Sequence, residues 1–454
     1  MTDSQGAVTA AEDLREREAE LRAEVAAILE EAARRGASAA EVTVNRSLGL
    51  VVTVRRGALE TVEFTRDQGF GITVYDGRRK GSASTTDASR AAVAETVAKA
   101  LEIARHTAED PAAGLADAAL LPRSLPELDL FHPWSLAVDD AEELARACEA
   151  AALAVDPRIT NSEGATVSSV QACRAYGNSH GFVGSVCGTR HGVSVAVIAA
   201  DDAGMQRDHW YTLSRVPGEL DDPEAVGRRA AERAVARLGA RPVPTARVPV
   251  AFAPEVASGV IGHLLGAISG GALYRRASFL CDALGEQLFP ERVRIEERPL
   301  EPRALGSAAF DADGVATRPK AIVEDGRLAS YLLSAYSARR LGLESTGNAG
   351  GVHNLRVADD GLDREALLAR MGRGLLVTEL MGQGVNGVTG DYSRGAAGFW
   401  VEDGAIVHPV QEVTVAGNLR RMFAELDAIG ADADRPGNVR CGTLLVNGMT
   451  VAGS

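Results

Sequence analysis

From Ala40 to Ser84 the side chains change character with a period of two, and that period constrains the fold of this chain more than any other feature. Val42-Thr43-Val44, Val51-Val52-Thr53-Val54, Leu59-Glu60-Thr61-Val62-Glu63-Phe64 and Gly71-Ile72-Thr73-Val74-Tyr75 read as strands. Arg56-Gly57 and Asp76-Gly77 have the chemistry of hairpin turns. The segments therefore predict an antiparallel meander. Helical spacing flanks it on both sides. Leu14, Leu21, Val25, Ile28 and Leu29 recur among Glu and Arg over 11–35, and Gly36 ends that helix. A second helix is predicted over 88–106, with Val93, Val97, Leu101 and Ile103. A sheet so flanked can be covered by a single helix layer, and 1–107 reads as one αβ domain.

Residues 108–137 are rich in Pro, Ala, Leu and Asp without period, as in a linker or crossing arm. A helix near 138–155, strands around 165–176, 182–200 and 205–214, and a helix near 222–238 make a middle αβ domain over 138–240. Arg241-Pro242-Val243-Pro244-Thr245 marks a boundary. The remainder, 246–454, holds one main helix over 255–268 and then short apolar pieces cut by glycine, as in 376–410. It predicts a Gly-rich, β-dominated C-terminal domain. The fold class is α+β.

Length and composition agree. A chain of 454 residues exceeds one ordinary core. Hydrophobic content of 46% and charged content of 24% are those of a globular protein. A net charge of −14 with no dense Lys/Arg stretch argues against a nucleic-acid surface; Arg78-Arg79-Lys80 sits in a turn. No apolar run reaches the roughly 20 residues of a membrane span. Met1-Thr2-Asp3 leads into a charged helix, unlike a secretory leader. Five cysteines, at 148, 173, 187, 281 and 441, include no CxxC pair. A disulfide framework is not expected, and a reducing, cytoplasmic setting is.

Short motifs carry little by themselves. Gly177-Asn178-Ser179-His180-Gly181 matches a nucleophile elbow, but Phe182-Val183-Gly184-Ser185-Val186 continues as a strand where the elbow needs a helix. Gly382-Gln383-Gly384-Val385-Asn386-Gly387 matches a dinucleotide fingerprint with no helix after it. His209-Trp210-Tyr211 alternates on a strand and reads as sheet packing. The helix over 255–268 has an apolar stripe of Val260, Ile261, Leu264, Leu265 and Ile268, with His263 beside it.

Longer runs are specific. Leu375-Leu376-Val377-Thr378-Glu379-Leu380-Met381-Gly382-Gln383-Gly384-Val385 and Thr389-Gly390-Asp391-Tyr392-Ser393-Arg394-Gly395-Ala396-Ala397-Gly398-Phe399-Trp400 resemble the TldE (PmbA) family, partner subunits of the TldD metallopeptidase. The likeness runs from Ala40-Glu41-Val42 to Met449-Thr450-Val451-Ala452-Gly453. It includes Arg79-Lys80-Gly81-Ser82-Ala83-Ser84 and Ser345-Thr346-Gly347-Asn348-Ala349-Gly350-Gly351.

The resemblance implies a TldD-type partner that holds zinc, unfolded peptides as substrates, and a dimer, with itself when alone. TldD subunits carry His-Glu-x-x-x-His on what looks like the helix of His263, and a zinc-ligating cysteine like Cys441. Here Leu264 stands at the glutamate position and Ile268 at the second histidine. His263 and Cys441 are thus expected as remnants of a metal site, with no metal in this chain. His353 or Glu379 could serve as substitute ligands. Glu379, Gln383, Asp391, Tyr392, Ser393 and Arg394 are the expected substrate-channel residues. The competing expectation is a stand-alone regulator of the gyrase-modulator type, without peptidase activity.

Overall fold

The computed structural model describes residues 14–202, 204–433 and 437–453. The opening Met1-Thr2-Asp3, and the expected first helix before Leu14, lie outside the described residues.

Leu21, Val25, Ile28 and Ala32 fall on one side of α1 (Glu18–Arg34) and bury it completely along that stripe. Gly36 follows with φ +86, a conformation glycine adopts without strain. Strands β1 (Ala39–Arg55), β2 (Ala58–Asp76) and β3 (Arg79–Thr85) come next. Both hairpin turns fall where expected, but the four short segments of the meander form two long strands followed by β3. Polar residues 45–49 and 65–69 remain paired across β1 and β2, because the backbone ladder does not depend on side-chain character. In α2 (Arg90–His106), Ser89 caps the first turn through the Ala92 N–H.

A long arm then crosses to α3 (Val138–Leu153). Its Leu130 carbonyl accepts from the Thr189 N–H. Its carbonyls at Ala112, Gly114 and Leu115 accept from Arg339. Strands β4 (Ile159–Asn178), β5 (Val183–Asp201) and β6 (Gly204–Ser214) follow, then α4 (Pro223–Ala236), capped by Asp222 with Pro223 at its first position.

The sheets of the two N-terminal units are one. Its order is β3-β2-β1-β4-β5-β6, antiparallel throughout, and β1 pairs with β4 along its length. All four helices cover the same face. Helices α1 and α2 pack on Val42, Val44, Ile72 and Val74; α3 and α4 pack on Val52, Val54, Val167 and Val195. Among the described residues no helix covers the other face, which turns towards the C-terminal part. There the Tyr176 hydroxyl donates to the Asp313 carbonyl, and Arg215 donates to the carbonyls of Ala304 and Leu305.

One cysteine pair departs from expectation. Cys173 and Cys187 oppose each other across β4 and β5 and are joined by a disulfide. It is a single bridge rather than a framework. The pairing depends on strand register, which cysteine spacing does not disclose. It weakens the argument from cysteine usage for a reducing compartment.

The C-terminal part is built around β7 (Ala246–Phe252) and α5 (Pro254–Ala267), with α6 (Gly270–Tyr274) next. A small sheet takes β8 (Ile295–Glu297), β9 (Lys320–Glu324), β10 (Arg327–Leu328), β11 (Leu355–Val357) and the later β16 (Val439–Arg440). Helices α7 (Ala335–Leu341) and α8 (Arg364–Met371) interrupt it in sequence. The main sheet adds β12 (Gly374–Met381), β13 (Asp391–Glu402), β14 (Ala405–Asn418), β15 (Leu426–Ile429) and β17 (Leu444–Ala452); α9 (Leu419–Ala424) lies between β14 and β15. Its order is β14-β13-β12-β7-β17-β15, and β14 also pairs with β17, so five strands close into a ring. The domain is β-dominated, as the glycine punctuation predicts. No helix among the described residues is long and apolar enough to cross a membrane.

Helices α3 and α4 touch through Gly227, where an added Cβ would stand 2.1 Å from the Cys148 carbonyl oxygen. Gly259, on α5, has nothing within 4 Å of such a Cβ. Gly227→Ala should therefore lower stability by about 1–3 kcal/mol through backbone displacement. Gly259→Ala should raise it by up to about 1 kcal/mol through helix propensity. Urea unfolding of both variants tests the contrast, and equal effects would contradict the packing described.

Candidate functional site

Helix α5 follows β7 directly, opened by Pro254 at its first position. Ala257, Val260, Ile261, Leu264 and Ala267 face the C-terminal core. The opposite side is Gly259, Gly262 and Gly266, all exposed. His263 lies between these faces and is half-buried.

Strand β13 supplies what His263 meets. Alternation puts Tyr392 and Arg394 on one face of the strand and Asp391 and Ser393 on the other. The Tyr392 ring stands edge-on to the imidazole, centroids 5.9 Å apart, and edge-on to Phe252 at 6.3 Å. Arg394 reaches the Leu380 carbonyl at 3.4 Å. Three polar atoms, His263 Nε2, Tyr392 Oη and Arg394 Nε, are buried without a hydrogen-bond partner. Burial holds the His263 pKa below the ordinary imidazole value, and the Arg394 charge lowers it further. Burial pushes the Tyr392 phenol up to about 12, with Arg394 opposing. The group is a neutral imidazole and a neutral phenol beside a guanidinium cation.

These residues do not fit a zinc ion. Leu264 and Ile268 are fully buried in the apolar core. A cation approaching His263 would meet the Arg394 charge. Cys441 is buried, and its thiol donates to the Gly442 carbonyl. Burial raises its pKa far above the ordinary thiol value, with the Asp432 charge adding to the shift. Metal ligation needs the thiolate. Cys441 lines a cavity of about 340 Å³ with Pro254, Glu255, Ser258 and Gly259, and His263, one turn further along α5, is not among its lining residues. Among the described residues no three His, Cys, Asp or Glu side chains are placed to hold a metal together.

The other expected residues are dispersed. Glu379 forms an ion pair with Arg237 at 2.5 Å, tying β12 to the end of α4. His353 gives its N–H to buried Glu297, and its ring nitrogen contacts the Gly347 carbonyl. Gln383 is exposed in the turn after β12. Asp391 accepts from the Thr389 hydroxyl and the Asn418 amide, and those bonds hold its carboxyl below the usual range. Ser393 is exposed. The structure thus brings together His263, Tyr392 and Arg394, and leaves Cys441, Glu379, Gln383, Asp391 and Ser393 outside that group.

A second polar cluster went unread in the sequence. Glu41 accepts from the Tyr75 hydroxyl at 2.9 Å and shares the Tyr176 hydroxyl proton, at 3.0 Å, with the Asp313 carbonyl, and burial raises its pKa. Asp311 nearby accepts from the N–H groups of Asp313, Val315 and Ala349, while burial pushes its pKa up to about 6. These residues are far apart in sequence, and no spacing could have signalled them.

Two measurements probe the His263 group. A histidine whose folded pKa lies below the unfolded value of about 6.5 is protonated more readily when unfolded, so its contribution to stability is present above that value and is lost as pH falls. Wild type should lose more stability than His263→Gln between about pH 7.5 and 5.5. Buried His191, shifted in the same direction, acts equally in both proteins. Equal losses would refute the assignment. Tyr392→Phe removes a hydroxyl without a partner, so stability should hold or rise by up to about 1 kcal/mol. A clear loss in urea unfolding would reveal a bond to that hydroxyl.

Comparison with known proteins covers nearly the whole chain. Profiles described as PmbA/TldA metallopeptidase domain 1, central domain and C-terminal domain match residues 40–104, 131–238 and 245–453. "Metalloprotease PmbA" of Escherichia coli is 50% identical over 414 residues, 91% of this chain and 92% of that one. "Metalloprotease PmbA homolog" of Haemophilus influenzae is 46% identical over 444 residues, 97% of this chain and 98% of that one. A putative modulator of DNA gyrase from Bacteroides thetaiotaomicron superposes with a TM-score of 0.91 at 27% identity, over 96% of this chain and 99% of that one. TldE from Thermococcus kodakarensis has the same fold, with a TM-score of 0.83 at 20% identity, over 95% of this chain and 100% of that one. With these matches along its length, the chain belongs to the PmbA/TldD metallopeptidase family.

Proposed function

We propose that this chain is a TldE-type subunit of a two-subunit peptidase. A TldD-type partner holds the zinc and the general base, and this chain walls part of the chamber that admits unfolded peptide. The observation that carries the reading is the setting of His263. Its neighbours are a phenol and a guanidinium, and the positions for a base and a second ligand are core residues Leu264 and Ile268. Such a helix serves packing and shape rather than water activation. Relatives named metalloproteases fit a subunit of a proteolytic complex, and an enclosure selects flexible substrates over folded ones. The chain is expected to dimerise, with itself when alone and with the partner when present, to act in the cytoplasm, and to bind neither nucleic acid nor membrane.

The second reading is a stand-alone regulator. Structural neighbours described as modulators of DNA gyrase favour it. The net charge of −14 weighs against a direct contact with DNA.

A degradation assay on an unfolded peptide separates the two, with this chain alone, a TldD-type subunit alone, and both. Only the mixture should cleave efficiently, and this chain alone should carry well under one zinc per subunit. The double variant H263A/C441A should leave cleavage by the mixture within about threefold, a change under roughly 1 kcal/mol. Chelator-sensitive cleavage by the isolated chain, or a hundredfold loss in the folded double variant, would overturn the proposal. Absence of any effect on the partner would leave the regulator reading standing.

A further inference from the structure

We propose that the bare face of the N-terminal sheet carries a binding groove for extended acidic peptide segments, with Arg174 and Arg190 as its anion receptors. The groove is a cavity of about 570 Å³. Its floor is Val170, Ala172, Val186 and Gly188, on β4 and β5, and Leu130 of the arm and Ser307 of the C-terminal part stand at its sides. It lies apart from the His263 group. The inference holds whether or not a second subunit performs the cleavage.

Four arginines line it, and one of them, Arg46, is paired with Glu20 and Glu24. Most arginines of this acidic chain stand beside a carboxylate. Among the described residues, Arg174 and Arg190 have none within ion-pair distance. Arg174 is half-buried over the Tyr176 ring, 6.0 Å from its centroid. Burial lowers its pKa, and the carboxyl that opposes this is Asp311, already engaged by three backbone N–H groups. Arg190 is exposed at the mouth. A third cation, Arg215, is pinned by the carbonyls of Thr189, Ala304 and Leu305, and the Arg190 charge adds to the burial that lowers its pKa to about 10. Asp67 is the one acid among the lining residues. A half-buried cation without a counter-charge is unfavourable until an anion joins it.

Register indicates the shape of that anion. Arg174 opposes Val186, and Arg190 opposes Val170. The two arginines are thus four residues apart along neighbouring strands and on the same face, about 13 Å at 3.3 Å per residue. An anion that meets both arginines at that spacing along the sheet is an extended one. An extended peptide with carboxylates at positions i and i+4 spans the same distance and presents both on one side. The lining residues include no aromatic ring on which a base could stack, which favours peptide over single-stranded nucleic acid.

The test uses the full chain and short fluorescein-labelled peptides of Gly, Ser and Thr with Glu at i and i+4. Controls carry Gln or Lys at those positions, or Glu at i and i+1. Anisotropy should show the spaced Glu peptide binding at least about tenfold tighter than its Gln counterpart. R174Q/R190Q should abolish that difference, and R174K/R190K should keep most of it. If the double variant does not fold, R190Q alone should lower the preference about threefold. Equal binding of Glu and Gln peptides would overturn the proposal, as would a preference that survives R174Q/R190Q or one that R190Q leaves unchanged. Inorganic phosphate competing as well as the peptide, or a single-stranded oligonucleotide binding more tightly than it, would do so too.

Discussion

The pairing of β1 with β4 is the constraint on which the rest of this structure depends. It joins two helix-and-strand units into one six-stranded sheet and fixes, residue by residue, what lies beside what. Glu41 comes to stand opposite Asn178, with Tyr176 two residues away on β4, and Asn45 comes opposite Arg174. A shift of one residue would send every one of these side chains to the other face. The apolar sets on β1 and β4 leave no such freedom, because both must lie under the same helix layer.

One-sided coverage has a consequence for function. Four helices satisfy one face of the sheet, and the other stays polar enough to meet the C-terminal part through hydrogen bonds instead of a continuous apolar seam. Tyr176, Arg215 and the arm carbonyls bound by Arg339 make those links. Grooves remain between them. In the C-terminal part the logic is reversed: five strands close into a ring, α5 packs against β7 and β12, and apolar residues fill the space between them. Leu264 and Ile268 strengthen the core that holds this helix.

Much of the fold was legible. Period two and period 3.6 located most of the N-terminal elements, and glycine punctuation announced a β-dominated C-terminal domain. The errors have physical sources. Polar stretches inside β1 and β2 looked like breaks because side-chain pattern is blind to the backbone ladder. Cys173 and Cys187 looked unrelated because only register makes them opposite. At the candidate site, the long motif over 389–400 covers the strand that packs beside His263, but its side chains divide between two faces. Tyr392 and Arg394 join His263, while Asp391 and Ser393 turn away.

The sequence by itself determined the element order, the α+β class and the family. Those are properties of residue type and local spacing, which the chain carries before it folds. Only the tertiary structure decided that the two N-terminal units share a sheet, that Cys441 lines a cavity His263 does not reach, and that Arg174 and Arg190 stand on one bare face with no carboxylate partner among the described residues. Each of those depends on strand register and on which surfaces are buried against each other, and both are set by contacts between residues far apart along the chain.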